Sequence, residues 1–166
     1  MNLPATGAPP WVRAYQVGVV VRDLDSAIAF YESIGLGPFR EGPSAHTLER
    51  LIRGQRSPQT RVRGAIADLG ALEFELLEPV AGPSIQAEFL DRHGEGALHV
   101  CAYTDDLQRD IAWMAERGVG VISYALLADG GSFAYFDTLA TGGVVLELYE
   151  LGPDGEQIPL AHAEQM

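Results

Sequence analysis

Apolar and polar positions along this chain change period at regular intervals, and each change predicts an element. Residues 14–21 are short, apolar and valine-rich, a strand pattern. From 23 to 34 the apolar positions Ile28, Tyr31 and Ile34 recur at helical spacing; Asp25 or Ser26 can cap the start and Gly35 the end. A short strand follows at 37–41. Residues 43–58 are polar and arginine-bearing, and read as a loop with one helical turn at 48–52. Residues 61–69 and 72–78 read as a hairpin around Gly70. The pattern then restarts, with a helix at 85–92 closed by the turn 93–96, where His93 reads as structural. A strand at 98–104, a helix at 107–117 ending at Gly118, and strands at 119–127, 132–137 and 144–150 follow. From 152 the tail is polar.

The restart is a true internal repeat. The stretch from Gln16 aligns without a gap on the stretch from His99, at an offset of 83, with Val17/Val100, Asp23/Asp106, Leu24/Leu107, Ile28/Ile111, Ala29/Ala112, Gly35/Gly118 and Gly37/Gly120 identical. The chain therefore divides into an N-terminal extension (1–13), a first βαβββ module (14–80), a second (81–151) and a C-terminal tail (152–166). One such module has a sheet face it cannot cover alone. Two side by side predict an α+β fold: an eight-stranded, cupped sheet with helices outside and a concave inner face.

Strand parity then decides which side chains meet, because alternate residues share a face. Gln16, Gly18 and Val20 share one; so do Glu73, Glu75 and Leu77; so do His99, Cys101 and Tyr103; so do Val145, Glu147 and Tyr149. If the opposite, apolar faces pack under the helices, Gln16, Glu75, His99 and Glu147 all point into the cup. Carboxylates in apolar strands are costly unless paired or bound to a metal. Singly, a strand glutamate is most often an exposed face residue and a histidine structural. Placed symmetrically by a repeat, the four make a plausible metal site, with Glu73 as the ligand if the register shifts by two.

Composition narrows the function classes. The 166 residues are 47% hydrophobic and 20% charged, as in a globular protein. No apolar run approaches about 18 residues, and residues 1–11 hold three prolines without the pattern of a signal peptide. Cys101 is the single cysteine, so an internal disulfide is impossible and a cytoplasmic setting is expected. The net charge of −12 argues against nucleic acid and anionic membranes as partners. All 11 basic residues are arginines, and Arg50, Arg53, Arg56, Arg61 and Arg63 crowd one window. That window is either a solvated loop or an anion site for a substrate's charged handle.

The run Val17-Gly18-Val19-Val20-Val21-Arg22-Asp23-Leu24-Asp25-Ser26-Ala27-Ile28-Ala29-Phe30-Tyr31 resembles the vicinal oxygen chelate superfamily, and the likeness extends from Tyr15 to Glu150. Leu76-Leu77-Glu78-Pro79, the stretch 89–96, Leu98-His99-Val100 and the stretch 141–148 look most like methylmalonyl-CoA epimerases. The resemblance implies Gln16, Glu75, His99 and Glu147 as ligands of one divalent metal ion (Zn, Co, Ni or Mn). It implies a small-molecule substrate and, as is common in lookalikes, a homodimer. The set Gln/Glu/His/Glu is similar to that of zinc-dependent glyoxalase I enzymes, whereas such epimerases usually begin with histidine. Gln16 also breaks the two-histidine, one-carboxylate triad of iron dioxygenases.

The implied reaction is proton transfer α to a carbonyl through a metal-stabilised enediolate, with Glu147 and Glu75 as catalytic acid and base. The epimerase branch tends to use a further glutamate on its third strand, where this chain has arginines and Gly64. Arg61 and Arg63 could take the phosphates or carboxylate of an acyl-CoA; Cys101 is expected to line the pocket, and Tyr103 and Tyr149 either line it or simply pack. A lactoylglutathione lyase is the second enzyme reading. A metal-free, bleomycin-resistance-type binder is the third. His46 and His162 carry no argument.

Overall fold

The computed structural model describes residues 9, 11, 13–42 and 47–153. Most of the expected N-terminal extension, His46, the tail beyond 153 and His162 lie outside the described residues. The chain forms β1 (Ala14–Val20), α1 (Leu24–Ser33), β2 (Arg40–Glu41), β3 (Thr47–Ile52), β4 (Gln55–Arg56), β5 (Arg61–Leu69) and β6 (Leu72–Ala81). It continues with α2 (Ile85–His93), β7 (Gly96–Thr104), α3 (Leu107–Ala115), β8 (Val121–Leu127), β9 (Ser132–Phe136), α4 (Leu139–Gly142) and β10 (Val145–Glu150).

All ten strands join one sheet in the order β2-β5-β6-β1-β7-β10-β9-β8-β3-β4. The order repeats about its middle: β1 runs parallel to β6, β10 runs parallel to β7, and β1 meets β7 antiparallel. The class expected from the sequence holds, but the sheet has ten strands rather than eight.

The two extra strands correct the reading of residues 43–58. Leu48, Leu51 and Ile52 have helix-like spacing, yet 47–52 is strand β3, and it pairs with β8. Arg50 and Ile52 are buried with Leu51 half-buried between them, a period of two, and Leu48 is exposed at the register shift between Thr47 and Glu49. An inward-facing arginine hid that alternation. Arg53 and Gly54, at φ of 49° and 76°, make the two-residue turn into β4, which a hairpin favours.

This hairpin also shows how strongly the sheet curls. β2 and β3 lie eight strand spacings apart in the sheet order, about 38 Å if flat. Only six residue steps separate Glu41 from Thr47, and they span at most about 21 Å. The sheet must therefore bend into a cup.

The repeated residues are helix punctuation. Asp23 caps α1, accepting from the Ser26 amide at 2.9 Å, and Asp106 caps α3, accepting from the Arg109 amide at 2.8 Å. Each cap is worth about 1 kcal/mol. The α1 cap is thus Asp23, not Asp25 or Ser26. Gly35 and Gly118, at φ of 92° and 76°, turn the chain out of each helix. α1 packs Ala27, Ile28 and Tyr31 on Val19, Leu76 and Phe74 outside the first half; α3 packs Leu107, Ile111 and Met114 on Ala134, Phe136 and Leu148 outside the second. Burying each such leucine contributes about 2 kcal/mol. α2 instead adds Ile85 and Phe89 to the inner cluster with Tyr15, Cys101, Ile122 and Val145.

Candidate active site

The four adjacent strands at the centre of the sheet, β6-β1-β7-β10, carry Glu75, Gln16, His99 and Glu147. All four side chains are buried, His99 completely. Three oxygens converge on His99 Nε2: Gln16 Oε1 at 3.2 Å, Glu75 Oε2 at 3.4 Å and Glu147 Oε2 at 3.0 Å. Because all three are acceptors, Nε2 carries the ring proton here. Among the described residues Glu147 Oε2, although close, finds no hydrogen-bond partner, and neither does His99 Nδ1.

Two features hold this cluster in shape. Gly18 pairs with His99 across β1 and β7, and the imidazole lies over it: a Cβ on Gly18 would sit 1.9 Å from His99 Cε1. Gln16 is held by Glu73, which accepts from Nε2 at 3.1 Å and is itself gripped by Arg40 Nη2 at 2.5 Å. A carboxylate only accepts, so Glu73 takes the amide nitrogen and turns Oε1 toward His99. Glu73 therefore serves Gln16 rather than replacing Glu75.

Burial raises the Glu75 carboxyl to about 8; His99 and Arg50 oppose the rise, while Glu147 and Glu73 add to it. Burial pushes the His99 imidazole down, but Glu147 and Glu75 beside it outweigh that and raise it. Both groups hold a proton more tightly folded than unfolded. Their stabilisation is complete below pH 4.5 and is lost as pH rises through about 8. Chelator-treated protein should therefore melt at progressively lower temperature between about pH 5 and 8. A flat or rising melting profile contradicts the buried cluster.

The donors suit a divalent cation in type and spacing. Metal bonds of about 2.1 Å put neighbouring donors about 3.0 Å apart in an octahedron and about 3.4 Å in a tetrahedron. The three contacts to Nε2 fall at 3.0–3.4 Å. The oxygens nevertheless crowd the ring nitrogen itself, and among the described residues no three His, Cys, Asp or Glu side chains are disposed as a ready metal group.

A small cavity of about 20 Å³ lies against Gln16, Glu75 and Glu147, and Arg50, Gln86, Tyr135 and Tyr149 complete its wall with Tyr15 and neighbouring apolar side chains. A larger cavity of about 650 Å³ is also present. Ile85, Asp137 and Val145 line the larger cavity, and Gln86, Tyr135 and Glu147 the smaller. Within the smaller one, Gln86 Nε2 donates to the Tyr135 hydroxyl at 3.2 Å. Burial, with Glu147 and Glu75 nearby, raises the Tyr135 phenol well above its ordinary value and keeps it protonated.

Of the residues expected to line the pocket, Tyr149 does. Cys101 is buried beneath Tyr15, to whose hydroxyl its thiol donates at 3.5 Å, and Tyr103 stacks on Tyr15 at 3.7 Å; neither is on the cavity wall. Burial raises the Cys101 thiol far out of the reactive range. Arg61 and Arg63 lie opposite Val62 and face away from the cavity: Arg61 donates to the carbonyls of Pro58 and Thr60, and Arg63 pairs with Asp25 and Glu78. Parity missed Tyr15 because a bulge between Ala14 and Gln16 buries both Tyr15 and Gln16. Arg40, Gln86 and Tyr135 left no local signal, since partners far along the chain define their roles, and nothing local set Arg50 apart from the four other arginines of its window.

The family model of the glyoxalase/bleomycin resistance protein/dioxygenase superfamily matches residues 15–135, and the chain belongs to that superfamily. Within it, methylmalonyl-CoA epimerases recur among the relatives. The bovine mitochondrial methylmalonyl-CoA epimerase is 29% identical over 150 residues, 87% of this chain and 78% of the relative. The uncharacterised Bacillus subtilis protein YqjC is 26% identical over 148 residues, covering 87% and 95%. The fold matches the Mycobacterium tuberculosis methylmalonyl-CoA epimerase at a TM-score of 0.65 and 21% identity, covering 90% and 95%. It also matches a methylmalonyl-CoA epimerase in complex with methylmalonyl-CoA and ammonium, at 0.66 and 22%, covering 89% and 99%. Among the described residues no helix is long and apolar enough to cross a membrane.

Proposed function

We propose that this chain is a divalent-metal-dependent enzyme that moves a proton α to a carbonyl, an epimerase of the methylmalonyl-CoA epimerase kind. The observation that carries the reading is the convergence of Glu75 and Glu147, from different halves of the repeat, on one imidazole nitrogen. Gln16, Glu75, His99 and Glu147 would hold the cation, which would supply Lewis-acid stabilisation of the charge growing on the substrate oxygen. His99 gives up the Nε2 proton when it becomes a ligand, so binding should strengthen as pH rises.

The chain's own residues do the rest. Glu147 accepts the proton from the α-carbon, and the C–H electron pair moves into the carbonyl to give an enolate. Glu75, on the other side of His99, returns a proton to the opposite face. Tyr135, kept protonated, donates a hydrogen bond to the same developing charge. The two modules, 14–80 and 81–151, each supply two of the four ligands. The 650 Å³ cavity is roomy enough for part of a long substrate such as an acyl-CoA, which the inner cavity cannot hold.

A lactoylglutathione lyase is the second reading, favoured by the donor set Gln/Glu/His/Glu. Cobalt(II) titration with visible absorption, followed by solvent-deuterium exchange into methylmalonyl-CoA and into the methylglyoxal–glutathione adduct, separates these readings. Cobalt uptake with exchange into methylmalonyl-CoA is expected. Exchange into the glutathione adduct alone moves the assignment to the lyase, and no cobalt uptake leaves only a metal-free binder.

A further inference from the structure

The four proposed ligands come in matched pairs from the two halves of the repeat, so by themselves they give the cup no preferred direction. Tyr135 breaks that balance. It stands opposite Glu147 across β9 and β10, and its ring centroid lies 5.3 Å from that of His99. It lines the small cavity, where its hydroxyl accepts the hydrogen bond from Gln86 Nε2 and makes no other with a described residue. Gln86 is 2% exposed and comes from the first turn of α2, a helix that the gapless repeat does not reach. A phenol oxygen carries a single hydrogen. With an amide N–H already donating to one of its lone pairs, that hydrogen has to point away from Gln86.

We propose that Gln86 is a positioning residue: by donating to the Tyr135 hydroxyl, it aims the Tyr135 O–H at the substrate oxygen on which charge develops. The proposal rests on the metal-dependent proton transfer of the proposed function. An acceptor at position 86 would do the reverse. It would draw the O–H onto itself and leave only lone pairs facing an oxygen that is becoming negative. The amide N–H also strengthens the donor, because a hydroxyl that accepts one hydrogen bond donates a better one. Tyr135 and Gln86 both belong to the second half of the chain, so they direct the substrate oxygen to that half of the cup.

Acetohydroxamate, a small chelator whose two vicinal oxygens and negative charge imitate the enolate, is the probe. It is titrated into cobalt-treated wild type, Tyr135→Phe, Gln86→Met, Gln86→Glu and the Gln86→Glu/Tyr135→Phe double variant, and binding is read from the cobalt absorption band. Tyr135→Phe should weaken binding by about tenfold or more, the worth of one hydrogen bond to a charged group. Gln86→Glu, which turns the O–H away, should cost as much. Gln86→Met keeps the volume and leaves the O–H free to turn, and should cost about threefold. In the double variant Gln86→Glu should add no more than about twofold to the loss from Tyr135→Phe. A loss caused by the new charge or by altered packing would persist without the Tyr135 hydroxyl. Melting curves show which variants are folded; if Gln86→Glu is not, the same cycle with Gln86→Met decides, since its loss must vanish beside Tyr135→Phe. The role of Gln86 is overturned if Gln86→Glu or Tyr135→Phe binds the probe as wild type does, or if the loss from Gln86→Glu persists in the double variant. Cobalt uptake is read before the probe is added: its absence in wild type defeats the proposed function and this inference together, whereas uptake followed by any of those three results leaves the cation standing and defeats the Tyr135–Gln86 pair alone.

Discussion

Glu147→Gln is expected to lower α-proton exchange by about 10³-fold, within the range that a positioned base contributes. Glutamine has nearly the same shape. Its carbonyl can face the His99 Nε2–H that Glu147 Oε2 now approaches at 3.0 Å, so the fold should survive with little change in melting temperature. Two things are lost together: the group that takes the proton, and one of the two negative charges facing the proposed cation. Cobalt affinity should therefore fall as well, and the two losses separate at saturating cobalt. Exchange within tenfold of wild type at saturating metal would remove Glu147 from the role of base.

Gly18→Ala is expected to destroy the site by displacing one ring. The new Cβ would lie 1.9 Å from His99 Cε1 and 2.4 Å from each ring nitrogen, with a completely buried imidazole that has nowhere to retreat. Overpacking of this severity costs about 3 kcal/mol, or roughly 10 °C in melting temperature for a chain of this size. His99 must also leave the point where Gln16, Glu75 and Glu147 meet, so cobalt binding and exchange should both vanish. Gly120→Ala is the control: nothing lies within 4 Å of its Cβ, and a change within about 0.5 kcal/mol is expected. Wild-type cobalt affinity in Gly18→Ala would contradict the packing of His99 on Gly18.

The identical residues of the repeat and the inward residues of the strands were legible for different reasons. Asp23 and Asp106 recur because each caps a helix, and Gly35 and Gly118 because each ends one. Caps are local, so they write themselves into the sequence. The inward set Gln16, Glu75, His99 and Glu147 was legible because pleating alternates side chains strictly, and the four strands involved keep parity where those residues lie. Parity failed at Tyr15, where a bulge adds one residue, and at 47–52, where a buried arginine stands in an apolar row. It also cannot tell two faces apart once both carry polar residues, which is why Arg61 and Arg63 were expected inside and lie outside.

By itself the sequence determined the repeat, the helix caps, the α+β class and the four polar residues at the centre of the sheet, all consequences of local periodicity. Only the tertiary structure decided that the β3–β4 hairpin joins the far edge, that Arg50 enters the cup from there, that Glu73 orients Gln16 and that Gly18 makes room for His99. Each of those depends on contacts between residues that the chain separates widely, and no pattern along one strand encodes which distant strand it will face.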